Sequence, residues 1–206
     1  MNWIERMHEI KSKDPYSQSG EGLILEYVFH HINHSDQFGK TFIDIGAGDG
    51  FILSNTRHLI NIGFKGDQLD KIGGQFITRE NVLEYYDYPC ITSIDIDGND
   101  YWILDTMLTF YGSPIVIAEF NPAYTDSRAI AYNPDHVWAG DTYYGFTFQA
   151  GVKLAEEHGY KVIYQIANMN MIMVRKDLIE GLTVPPVTYT KSEYFKMSER
   201  TDWIMI

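Results

Sequence analysis

The chain has 206 residues, one domain's worth, and is 45% hydrophobic and 21% charged, proportions that exclude a disordered polypeptide. Its formal net charge of -12 repels phosphate backbones and disfavours nucleic acid as a partner. Cys90 is the single cysteine, which excludes an intramolecular disulfide and a cysteine-rich zinc site.

The opening residues carry charges throughout and do not read as a signal peptide, and no run is long and apolar enough to span a bilayer. The expectation is a soluble cytoplasmic domain away from membranes, of undetermined oligomeric state. Trp3, Ile4, Met7 and Ile10 have helical spacing, with Asp14-Pro15 as a stop. A second helix is predicted from about Gly22 to Ile32. "KTFIDIGAGDG" is a short strand entering a glycine turn, and "SNTRHLINIGF" a helix with Ser54 or Asn55 as cap and Gly63 as stop. "KGDQLD" reads as a strand and "TRENVLEYY" as a short helix capped by Thr78. "CITSIDID", "NDYWILDTMLTFYG" and "PIVIAEFNP" read as strand, helix and strand. A long loop then runs from Ala123 to Thr142, before the amphipathic helix "FTFQAGVKLAEEHGY". "KVIYQIA" and "MNMIMVRKD" form an antiparallel pair, followed from Leu182 by a tail without a clear period. Strands alternating with helices predict an α/β sandwich with a mostly parallel sheet and a C-terminal antiparallel hairpin. One domain over residues 1–206 is expected: a helical segment (1–36), a core (37–178) and a tail (179–206). In such sheets ligands bind at the carboxyl ends of the strands.

The turn "FIDIGAGDG" spaces Gly46, Gly48 and Gly50 as GxGxG, so a ligand can approach the backbone closely. Phe51 stands where the dinucleotide fingerprint needs glycine, which disfavours a nicotinamide-linked oxidoreductase. Asp44, two residues before Gly46, can hold water or a ligand ammonium and suits a cofactor with an amino-acid moiety, such as S-adenosylmethionine.

"YSQSGEGLILEYVF", "FIDIGAGDGFILSNTRHLINIGFKG", "ITRENV", "SIDIDGNDYWIL", "IVIAEFNP" and "YYGFTFQAGVKLAEEHGYKVI" stand in an order that resembles FkbM-like S-adenosylmethionine-dependent methyltransferases. More closely, they resemble a poorly characterised branch with an SIDIDGxDYW block, over about Tyr16 to Asp177. The resemblance implies a Rossmann-like class I methyltransferase fold of seven strands, the last reversed. It implies that Gly46, Gly48 and Gly50 lie under the methionine part of the cofactor and that Asp70 takes the ribose hydroxyls. It also implies that Ser17, Gln18 and Glu21 cover the cofactor. Only "KIGGQF" separates Asp70 from "ITRENV", where relatives carry a further helix and strand. The adenine side is therefore expected to be shortened, with the Gly73-Gly74 turn or another subunit as a substitute.

Strand alternation sends Asp95 and Asp97 to one face, Asp97 nearer the carboxyl end and the better contact for substrate or the cofactor amino group. Asp100 reads as a helix-start acid. Glu119 and Asn121 alternate onto one face of the next strand. With Asp97 they could ligate Mg²⁺ or Ca²⁺, although "DIDGND" does not match an EF-hand loop; hydrogen bonding to substrate is the preferred role. His136, the histidine of the long loop, is the candidate general base, with Asp97 or Glu119 as alternatives. Trp138, Tyr143 and Tyr144 are candidates to wall a substrate pocket or to anchor the loop to the core, and Tyr143 and Tyr144, with Asn121, are candidate substrate contacts. The functional expectation is methyl transfer to a small polar molecule, at oxygen. The alternative is a trimmed fold that binds or regulates without turnover.

Overall fold

The structure, a computed structural model, describes residues 1–10, 14–72, 75–84, 88–193 and 196–206. Its elements in chain order are α1 (Glu21–His31), β1 (Thr41–Ile45), α2 (Arg57–Asn61), β2 (Lys65–Leu69), β3 (Lys71–Ile72), β4 (Gln75–Phe76), β5 (Ile91–Ile94) and α3 (Asp100–Phe110). They continue with β6 (Ile115–Glu119), β7 (Arg128–Ile130), α4 (Phe148–Glu157), β8 (Tyr160–Ile166), β9 (Asn170–Arg175) and β10 (Trp203–Met205).

Six strands form one sheet in the order β2-β1-β5-β6-β9-β8. β1 pairs in parallel with β2 and β5, and β5 with β6, whereas β9 runs antiparallel to both its neighbours. The protein is therefore α/β, with a mostly parallel sheet and one reversed strand. The expected hairpin is present: Ala167 and Asn168, both at positive φ (51° and 61°), make the tight turn between β8 and β9. Paired α-helical faces cover the sheet on both sides, which is why its central strands are apolar on both faces. Ile43, Ile45, Ile94, Val116 and Ala118 pack with α3 and α4 residues such as Leu104 and Leu154. Phe42, Ile91, Ile115 and Ile117 pack on the other side against Leu25 and Val28 of α1 and Leu59 of α2.

Several elements differ from the sequence expectation. The N-terminal segment makes only a one-turn 3-10 helix, Met7–Glu9. The helix expected at Thr78 shrinks to another, Val82–Glu84, because Thr78 and Asn81 close a local ring: each side-chain oxygen accepts the other's backbone N–H. Tyr85 and Tyr86, expected to continue it, lie outside the described residues, as does the Gly73-Gly74 turn. The sheet has six strands where the resemblance implies seven, and β2 is one of its two edge strands. The short antiparallel ribbon β3–β4 follows β2 in place of a further sheet strand. The long loop holds a strand of its own, β7, and the tail returns to pair with it through β10.

No helix among the described residues is long and apolar enough to cross a membrane.

Candidate functional site at the carboxyl edge of the sheet

From β1 the chain moves outward to β2, then crosses to β5 on the other side of β1. The carboxyl ends of β1 and β5 thus flank a point where strand order reverses, the place where open α/β sheets bind ligands. The glycine turn leaves β1 here. Gly46 has φ 91°, and a Cβ on it would lie 1.6 Å from the Asp95 carbonyl oxygen, so no other residue fits between β1 and β5. Gly48 has φ 58°, and open space lies where its side chain would be. Its N–H donates to the Asp70 carboxylate at 2.8 Å, tying the end of β2 to the turn.

Beyond the turn is a cavity of about 250 Å³. Asp70 and Asp97 contribute carboxylates, Phe76, Ile77 and Ile96 apolar walls, and His136 and Trp138 the loop side. Phe76 and Trp138 remain 52% and 42% exposed and form an aromatic rim; Trp138 is an expected pocket wall, whereas Phe76 is not singled out in the sequence. The signal of Phe76 is unusual solvent exposure of a large ring, which is invisible without coordinates.

The acids divide by role. Asp44 is only 2% exposed and lies beneath the glycine turn rather than in the cavity lining. It accepts the Thr56 hydroxyl at 2.7 Å, and Gln68 links that hydroxyl to Ser54 and to the Gly50 carbonyl. Burial raises the Asp44 carboxyl above its ordinary range, against the opposing hydrogen bonds from Thr56 and Ser93. Asp44 therefore supports the turn through the fold's own hydroxyls. Asp100, the first residue of α3, accepts the N–H groups of Ile96 and Gly98, both at 2.8 Å. It holds the turn that carries Asp97, which sits at φ 53°.

β5 ends at Ile94, so Asp95 and Asp97 lie beyond the strand and do not alternate along it as expected. The left-handed turn still brings them together: carboxylate oxygens of Asp95, Asp97 and Glu119 all lie within 4.8 Å of one another. Burial, then the charge of Asp100, lifts Asp97 to about 6. Burial, then the charges of Asp100 and Asp97, raises Asp95; burial, then the charges of Asp95 and Asp97, raises Glu119.

The ring of His136 stands over Gly98 of the Asp97-Gly98 turn. Its Nε2 is shielded from solvent and has no partner. Burial, then the Arg200 charge, holds the imidazole below its ordinary pKa, so it is neutral with a free lone pair at pH 7.

The remaining candidates are placed elsewhere. Asn121 is fully buried; its amide donates to the carbonyls of Thr142 and Tyr144 and accepts the Ala123 N–H. Expected to meet substrate, it instead closes the base of the long loop. Tyr143 and Tyr144 are buried too. The Tyr143 hydroxyl accepts the Ala131 N–H, and its ring lies 5.8 Å from that of His136, so it backs the loop rather than lining the cavity. Gln18 is exposed in the segment before α1, where the Tyr16 carbonyl accepts the Ser54 N–H. Glu21 is buried and accepts from Asn170, a residue the sequence reading passed over.

Compared with models of known protein families the sequence matches none, and a search of curated proteins returns no match.

Proposed function

We propose that the chain is an S-adenosylmethionine-dependent methyltransferase acting at oxygen on a small polar substrate, with a Rossmann-like class I methyltransferase fold. The observation that carries this reading is the cavity at the strand-order reversal, where Asp70, anchored on the Gly48 N–H, faces Asp97 and His136. The reversed β9 beside β6 supports it as well, as does the order of sequence blocks.

The donor set suits the cofactor. A carboxylate at the end of β2 is the group to accept ribose hydroxyls, by the same logic as in dinucleotide folds. Phe76, Ile77, Ile96 and Trp138 offer apolar surface for a base. Asp97 offers a carboxylate to an ammonium, and Gly48 presents bare backbone. When bound, S-adenosylmethionine supplies an electrophilic methyl group on sulfonium. The chain's own contribution is alignment and exclusion of water. Nε2 of His136, which has no partner within the fold, accepts the acceptor hydroxyl's proton.

Calorimetric titration with S-adenosylmethionine and S-adenosylhomocysteine tests the assignment. Both should bind, and Asp70→Ala should weaken each by roughly tenfold or more, as expected for losing a charge-assisted hydrogen bond. Binding of neither would reject the cofactor. Binding without transfer of labelled methyl to any of a panel of hydroxylated metabolites would favour the second reading, a binding or regulatory module. The outer position of β2 motivates that alternative.

A further inference from the structure

We propose that Asp95, Asp97 and Glu119, with the side-chain oxygen of Asn170, bind one hard divalent cation of the Mg²⁺, Mn²⁺ or Ca²⁺ type. The site is independent of the methyl-transfer reading, because it rests only on the donors present.

The carboxylate oxygens of the three acids lie within 4.8 Å of one another and are partly open to solvent. Among the described residues, every ion pair of the chain lies elsewhere, so no Lys or Arg neutralises them. Exposed acidic clusters are common without an ion, and a cation needs a further fixed donor.

Asn170 supplies it. Glu119 and Asn170 are direct partners in the antiparallel pairing of β6 and β9, so their side chains stand on the same face of the sheet. The parallel register of β5 and β6 (Ile94 opposite Ala118) brings Asp95 level with Glu119. Asp95, Glu119 and Asn170 therefore form a row across three adjacent strand ends. Asn170 is 2% exposed. Its Nδ2 faces Glu21 Oε1 at 3.3 Å, and Glu21 Oε2 accepts the Ser19 N–H, so the amide is turned with nitrogen toward the acid. The amide oxygen Oδ1 is left buried with no donor. A buried carbonyl oxygen without a partner calls for an ion or a water. Beside three carboxylates, which when ionised only accept, a cation satisfies all four groups at once, whereas a water has two protons to give. Three carboxylate oxygens and one amide oxygen are the hard donor set of Mg²⁺, Mn²⁺ and Ca²⁺.

The test is Mn²⁺ binding by electron paramagnetic resonance, without any cofactor, with competition by Mg²⁺ and Ca²⁺. One saturable Mn²⁺ per chain is expected. Glu119→Gln and Asp95→Asn, which keep shape and remove charge, should weaken binding by roughly tenfold or more, and Asn170→Ala by a similar factor. Asp105→Asn, on the exposed side of α3 where Asp105 pairs with His158, should leave the affinity unchanged. Thermal melts of each variant in EDTA establish that it folds. Mn²⁺ should raise the melting temperature of the parent and of Asp105→Asn but not of Glu119→Gln. Absence of a saturable site, or equal affinity in Glu119→Gln and parent, would overturn the proposal. Unchanged affinity in Asn170→Ala would overturn the part assigned to its oxygen. Neither result would bear on binding of S-adenosylhomocysteine in the cavity, so the two readings fail separately.

Discussion

Asp44 shows how one residue type serves different ends within a few ångströms. Its carboxyl is buried and bonded to Thr56, and burial outweighs those bonds in raising its proton affinity. The folded state therefore holds that proton more tightly than the unfolded chain, whose Asp titrates near 3.8. From that pH upward the folded protein binds more protons than the unfolded one, so this group's contribution to stability falls as pH rises. Asp44→Asn keeps an acceptor for Thr56 and removes the charge. Denaturant titrations from about pH 4 to pH 8 should show the variant gaining stability relative to the parent as pH increases; a constant difference would refute the assignment. The position of Asp44 before a glycine turn was legible in the sequence. That it faces the fold's own hydroxyls rather than a ligand was not, because Thr56 and Gln68 reach it from separate elements. His136 and Asp97 were legible as a pair at one edge, since the residue types and strand ends alone imply it. The Asn170 oxygen was not, because pairing between β6 and β9 joins positions 51 residues apart.

Among the elements, the turn between β5 and α3 positions more of the site than any other. Asp100 occupies the first turn of α3, as an acid favoured by the helix dipole should, yet its carboxylate bonds backward to Ile96 and Gly98. Asp100→Ala would leave both N–H groups without an acceptor. Urea unfolding should show a loss of about 2–3 kcal/mol, with Asp100→Asn intermediate because it retains one acceptor oxygen. An unchanged midpoint for Asp100→Ala would show that the turn holds itself. The sheet strands and the α3 and α4 helices were legible because apolar runs and periodicity match their burial. The shorter pieces were less so: the ring closed by Thr78 and Asn81 competes with helix formation, and β7 pairs with β10, more than 70 residues further along the chain.

At the scale of the whole molecule, the returning tail braces the loop that carries His136. Trp203 packs edge-on against Tyr124 and Tyr143 at 5.0 and 4.9 Å, Arg200 lies over the Tyr143 ring, and the Ser198 N–H donates to Thr142. Trp203→Ala should cost about 2 kcal/mol, or roughly 4–8 °C in melting temperature. It should also let the His136 pKa rise toward 6.5, because burial is the main force holding it down. NMR titration of the imidazole checks this, and an unmoved His136 with a normal melt would show that the tail is a bystander. The β7–β10 pairing has a further consequence during synthesis. A nascent chain exposed through residue 175 already has every strand of the main sheet, and α1 through α4 with them. β7, at the base of its His136 loop, is then bridged to Phe146 but gains β10 only when residues 203–205 leave the ribosome. The scaffold can thus be assembled before the tail braces the candidate base, and closure of the site follows assembly of the sheet.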